Sequence, residues 1–176
     1  NGATITATVD ITGAATATSA SGNGTANATG GSVYGFLDTG ITVGATGSLT
    51  ASLDADLSAT STNTGAPGTA ANSTATANQT AAIGISGTGN ATTGGLVFGD
   101  GATITANAGT STDRVTTTAS ATGVTGAAVA SASQDTVAGI SDSDGRIVVG
   151  GDSSITGRGY ATDTATAITS NGTSTA

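Results

Sequence analysis

Ile147-Val148-Val149-Gly150-Gly151-Asp152-Ser153-Ser154-Ile155-Thr156 is one of three segments of this chain that align without gaps. The others are Leu96-Val97-Phe98-Gly99-Asp100-Gly101-Ala102-Thr103-Ile104-Thr105 and Ile41-Thr42-Val43-Gly44-Ala45-Thr46-Gly47-Ser48-Leu49-Thr50. Each has three β-formers, a glycine, four small or polar residues, then an aliphatic residue followed by Thr. Asn1-Gly2-Ala3-Thr4-Ile5-Thr6 matches the second half of the pattern. Self-similarity of this kind is the signature of a repeat architecture.

The aliphatic before that Thr serves as a marker at Ile5, Leu49, Ile104 and Ile155, with spacings of 44, 55 and 51 residues. Three other features recur in phase with it. A long alternating tract follows each marker, as in Ala14-Ala15-Thr16-Ala17-Thr18-Ser19. A glycine-bearing turn comes next, at Asn23-Gly24, Thr64-Gly65, Thr125-Gly126 and Asn171-Gly172. Then comes a glycine-plus-apolar step at Gly35-Phe36, Gly84-Ile85 and Gly139-Ile140. The markers divide residues 1–176, read as a single repeat array, into approximate repeats 5–48, 49–103, 104–154 and a partial 155–176. The chain opens and closes inside the pattern, so it reads as a window on a longer array or as a protomer completed by its neighbour.

Within the tracts the period is two. Ile5, Ala7, Val9 and Ile11 alternate with Thr4, Thr6, Thr8, Asp10 and Thr12, which puts aliphatic groups on one strand face and hydroxyls on the other. Gly and Thr are too frequent for helix, and no capped apolar stripe of helical period occurs. Low complexity raises the question of disorder, but charges are few, proline is nearly absent and mean hydropathy is slightly positive at +0.14, the opposite of a disordered composition. The fold class expected is all-β, a β-solenoid of stacked repeats. The alternative is a β-sandwich pilin that exchanges a strand with its neighbour. A repeat of about fifty residues leaves open one circuit with long faces or several shorter ones.

Composition excludes much chemistry. The chain has no Lys, Glu, His, Cys, Met or Trp, and so lacks the commonest general base, the thiol nucleophile and the soft metal ligands. Three arginines (Arg114, Arg146 and Arg158) and a net charge of −8 oppose nucleic acid and acidic membrane surfaces as partners. No run is long and apolar enough to span a membrane, and the first residues show no basic-then-apolar pattern, as expected of a chain whose targeting segment was removed or of a fragment of something longer. No enzyme activity, small-molecule substrate or catalytic residue is expected. A polysaccharide-cleaving β-helix would need an acidic cluster beside an arginine, and only Asp142, Asp144 and Arg146 come near that.

The remaining candidates have ordinary readings. Asp142-Ser143-Asp144-Gly145 resembles the opening of a calcium loop, but the further acidic ligand is missing. It reads as a polar turn before a strand; no cofactor or metal is expected, calcium being the one ion the pattern approaches. Asp54 and Asp56 share a solvated strand face. Asn23, Asn27, Asn72, Asn78, Asn90 and Asn171 fit the glycosylation acceptor pattern, yet read first as turn residues. Thr-x-Thr steps recur at Thr4-Ile5-Thr6, Thr16-Ala17-Thr18, Thr103-Ile104-Thr105 and Thr162-Asp163-Thr164. Ice-binding solenoids use such steps, one per circuit on one face; the uneven marker spacing argues against that arrangement here, and β-propensity accounts for the threonines. Phe36 and Phe98 read as core, Tyr34 and Tyr160 complete the aromatics, and Pro67 shapes a turn.

Gly139-Ile140-Ser141, Val148-Val149-Gly150-Gly151 and Ser154-Ile155-Thr156 resemble the repeats of very long Ala/Thr/Ser/Gly-rich proteins of bacterial cell surfaces, of the marine cyanobacterial type. The resemblance spans the chain and implies a surface filament, sheath or adhesin. The function expected is that of an extracellular or cell-surface structural filament that assembles with itself through β-strand stacking. An adhesin stalk, a phage-type fibre shaft or an ice-binding module is the alternative.

Overall fold

The computed structural model describes residues 2–65, 71–88, 95–143 and 146–176. Its regular structure is entirely strand, as the alternating Thr/Ala/Val tracts require. The chain passes in turn through three sheets. In the first pass these are β1 (Thr4–Ser19), β2 (Gly24–Asp38) and β3 (Gly40–Val43). The second pass supplies β4 (Ser48–Asn63), β5 (Ser73–Gly87) and β6 (Gly95–Phe98). In the third, the first strand is split into β7 (Thr103–Ala108) and β8 (Val115–Thr125), followed by β9 (Ala128–Asp142) and β10 (Ile147–Val149). The fourth begins with β11 (Ser154–Gly159) and β12 (Ala161–Asn171), then β13 (Ser174–Thr175).

Every strand pairs with its equivalent in the next pass, and all ten ladders among the described residues are parallel. The first sheet has β4 beside β1, then β7 and β8, then β11 and β12; the second runs β2-β5-β9-β13 and the third β3-β6-β10. The markers Ile5, Leu49, Ile104 and Ile155 form one lateral row. One repeat is therefore one circuit with two long faces and a short one.

The unequal spacing is absorbed outside the ladders. Leu53 and Asp56 pair with Ala108 and Thr116, so Asp54 and Ala55 stand against the longer stretch Gly109–Val115. The fourth circuit closes the same interval with Tyr160 alone between the partners of Ala108 and Val115.

The interior has a wide part and a narrow part. Where all three sheets meet, Leu49, Ile85, Leu96, Phe98 and Ile104 are buried in one cluster. Where only the first two sheets face each other, the filling is almost wholly alanine, including Ala59, Ala75, Ala77, Ala119 and Ala121. Between them lies a third cluster of Leu53, Ala55, Ala82, Ala108 and Val115, and at the glycine-plus-apolar steps, beside the wide part, the sheets come close. A methyl group on Gly84 would lie 2.7 Å from Gly139 O and 3.2 Å from Ala106 Cβ, so only glycine fits there.

Polar groups at the narrow edge are hydrogen-bonded, as burial demands. Ser61 Oγ donates to Gly24 O (2.9 Å), and Ser73 Oγ donates to Ser61 O (2.8 Å). Asn23 Oδ1 accepts from Asn72 N, and Asn72 Oδ1 from Ala127 N, both at 2.9 Å. This side-chain ladder ties successive circuits at the corner. At the opposite corner the repeat motif forms stacked turns: Gly47 N donates to Gly44 O (3.0 Å) and Ala102 N to Gly99 O (3.1 Å). The equivalent positions Thr46, Gly101 and Asp152 all have left-handed φ, at 57°, 67° and 56°. Only the glycine adopts that conformation without strain.

Candidate functional site

The outer face of the first sheet carries the most regular chemistry of the molecule. Strand alternation buries Ala59, Ser61, Ala119 and Ala121 and turns their neighbours outward. The pairing register then aligns those neighbours across circuits: Ala14, Ser58, Thr118 and Thr164 form one row, Thr16, Thr60, Ser120 and Thr166 the next, and Thr18, Thr62, Thr122 and Ile168 the third. Nearer the start of the strands, Thr6, Thr50, Thr105 and Thr156 make a fourth row of four threonines. Rows of this kind repeat at about 4.8 Å across strands and about 6.7 Å along them. The four Thr-x-Thr steps of the sequence all lie on this face, because Gly109–Arg114 and the turns take up the uneven spacing. Uneven marker spacing thus does not keep these steps off one face, although two of them fall on the first circuit and none on the second, so they do not recur one per circuit.

A strip of charge and one loop divide the grid. Asp10 pairs laterally with Asp54, and Thr12 with Asp56. Thr116 Oγ1 donates to Asp56 Oδ1 at 2.5 Å. Asp54 Oδ1 is buried and unpartnered. Burial first, then the negative charges of Asp56 and Asp113, hold the Asp54 carboxyl above its ordinary value; the Ala55 amide opposes this, and Asp10 adds to it. The two aspartates do share the outer face expected for them, and both are half-buried there. The loop itself is a turn in which Thr110 N donates to Asp113 O and Asp113 N donates to Thr110 Oγ1 (2.8 Å). Its Arg114 stands over the Tyr160 ring, 5.9 Å from the centroid.

The other sequence candidates are scattered. Asp142 ends β9 half-buried, while Asp144 and Gly145 lie outside the described residues. Among the described residues, no group of three or more potential ligands is placed to hold a metal ion. Asn23 and Asn72 serve the corner ladder. Asn27 is exposed on β2, Asn78 Oδ1 accepts from Ser133 Oγ (3.3 Å), and Asn171 ends β12. Asn90 and Pro67 lie outside the described residues. Phe98 is buried and Phe36 packs against its cluster.

No family model, curated protein or solved structure matches the chain. Sequence reasoning missed two features: the alignment of hydroxyl rows, which depends on register, and the buried Gln79. The Gln79 amide donates to Gly31 O (2.5 Å) and Ala81 O (2.9 Å), tying its own strand to the neighbouring β2. The neighbouring Gly30 leaves space for this side chain, and that local pairing was the only signal available.

Proposed function

We propose that this chain is a segment of an extracellular or cell-surface structural filament, a β-solenoid that extends by stacking further β-strands of its own kind on its open edges. One observation carries the reading. Core rows run through the stack and leave aliphatic side chains bare at both edges: Leu49 and Ile104 are 2% and 0% exposed, whereas Ile5 and Ile155 of the same row are 53% and 37% exposed. The row of the third sheet behaves alike, with Leu96 fully buried and Ile147 49% exposed. At the β1 edge, two open depressions of about 170 and 260 Å³ are lined partly by Ile5, Val43, Phe36 and Ile41, a shape that another circuit would fill.

Unpaired strand edges flanked by apolar groups are templates for further pairing, and each strand added buries them at about 25 cal/mol per Å² of apolar area. Parallel ladders favour the solenoid over the strand-exchanging sandwich, whose sheets are antiparallel. The absence of Lys and the scarcity of Arg leave trypsin few sites, which suits a protein exposed outside the cell.

Electron microscopy of undenatured material tests the reading. Uniform filaments with a strand repeat of about 4.8 Å are the expected result. Discrete monomeric particles would overturn it and shift the weight to a stalk, shaft or binding module.

A further inference from the structure

The hydroxyl grid has properties that end-on stacking does not require. Extension of the array uses strand edges and core rows, and is indifferent to what the outer face of the first sheet displays. That face nevertheless repeats hydroxyls in two dimensions over β8, β12 and the matching halves of β1 and β4. Thr16, Thr18, Thr60, Thr118, Thr122, Thr164 and Thr166 are exposed. Among the described residues no side-chain hydrogen bond engages Thr16, Thr60, Ser120 or Thr166, so their hydroxyls are left to the solvent.

We propose that this patch binds the surface of ice. The first reason is spacing. Steps of about 4.8 Å across strands and about 6.7 Å along them approximate the two repeats of water oxygens on the prism face of ice. A sheet fixed by backbone ladders holds such a lattice without further ordering cost. The second reason is charge. In the three rows beyond Asp56 no side chain is ionised, which matches an uncharged lattice and not a mineral or a polyelectrolyte. The third is chemistry. Each threonine offers a hydroxyl that both donates and accepts, next to a methyl that orders water around it. A protein partner would instead need an apolar centre, and Ile168 at the rim is the only large apolar side chain in these rows. Arg114 and the loop before it stand on the far side of the Asp54–Asp56 strip, so the patch is the half of the face away from them.

The test is ice-affinity partitioning: ice is grown slowly from a solution of the whole chain, and the protein in the ice and liquid fractions is measured. Enrichment in the ice, with faceted crystals under the microscope, is expected. Thr60→Lys with Thr118→Lys is expected to return the chain to the liquid fraction. Thr76→Lys, on the outer face of the second sheet, is expected to leave partitioning unchanged. Circular dichroism and melting of each variant separate a lost surface from a lost fold. Exclusion of the unaltered chain from ice would overturn the proposal, and so would equal losses in the two folded variants. Retention on crystalline cellulose without any on ice would also overturn it, and would assign the grid to a polysaccharide. None of these outcomes depends on whether the array forms filaments.

Discussion

The wide and narrow parts of the interior solve one packing problem with different side chains. Where the third sheet closes the circuit, the space between three backbones is filled by Phe98, Leu96, Leu49, Ile104 and Ile85. Where two sheets lie face to face, Ala59, Ala77, Ala119 and Ala121 suffice, while Gly84 and Gly139 let the backbones approach closely at the inner margin of the wide part. The largest side chains gather where three sheets meet, Leu53 and Val115 fill the interior between the two parts, and Leu57 is the one large buried residue of the alanine part. The comparison teaches that the two parts respond to volume in opposite ways: the wide part is hurt by losing atoms and the narrow part by gaining them.

The largest effect should come from Phe98→Ala. It removes a fully buried ring from the middle of the wide cluster and is expected to cost about 3–5 kcal/mol, measured by urea unfolding. A loss below about 1 kcal/mol would show that the wide part collapses without a cavity, and would break the comparison. Next is Ala77→Leu, a fully buried site flanked in its row by Ala28 and Ala132. Overpacking should cost about 1–3 kcal/mol or more and lower the melting temperature. A neutral result there would mean that the two sheets can separate locally.

A smaller effect, of opposite sign, is expected at the corner beside the wide part. Thr46 adopts the left-handed conformation that Gly101 supplies one circuit later, so Thr46→Gly relieves strain while losing chain entropy. The net gain should stay under about 1 kcal/mol, read as a small rise in melting temperature.

The smallest effect belongs to the boundary between the two parts. Because Asp54 titrates above its ordinary value in the folded chain, the folded state holds more protons than the unfolded state in the window above pH 3.8. Stability contributed by this group therefore falls as pH rises through that window. Asp54→Asn should melt slightly higher than the parent at neutral pH, and the difference should vanish in acid below the unfolded carboxyl's range. A difference that persists in acid would assign the effect to packing instead of charge.

Much of this was legible in the residues. Alternation in the Thr4–Thr12 tract gave strands with a hydroxyl face, and the recurring Ile-Val-Val-Gly-Gly type of segment gave the repeat, though not that it turns from the short sheet to the long one. The markers Ile5, Leu49, Ile104 and Ile155 do lie side by side. Less could be read of the grid. Spacings of 44, 55 and 51 residues do not show whether extra residues shift a strand or leave it, and a shift of one residue would turn every threonine inward. The insertion at Gly109–Arg114 leaves the sheet, so the register survives it.

Alternation and composition by themselves determined the strands, the hydroxyl and alanine faces, the glycine corners and the poverty of reactive groups, because each depends on neighbours close along the chain. Only the tertiary structure decided which face meets which, how wide the interior is at each point, and that threonines some fifty residues apart stand in line. Those properties follow from lateral pairing between circuits, where backbone ladders fix the register and the ladders themselves carry no mark of side-chain identity.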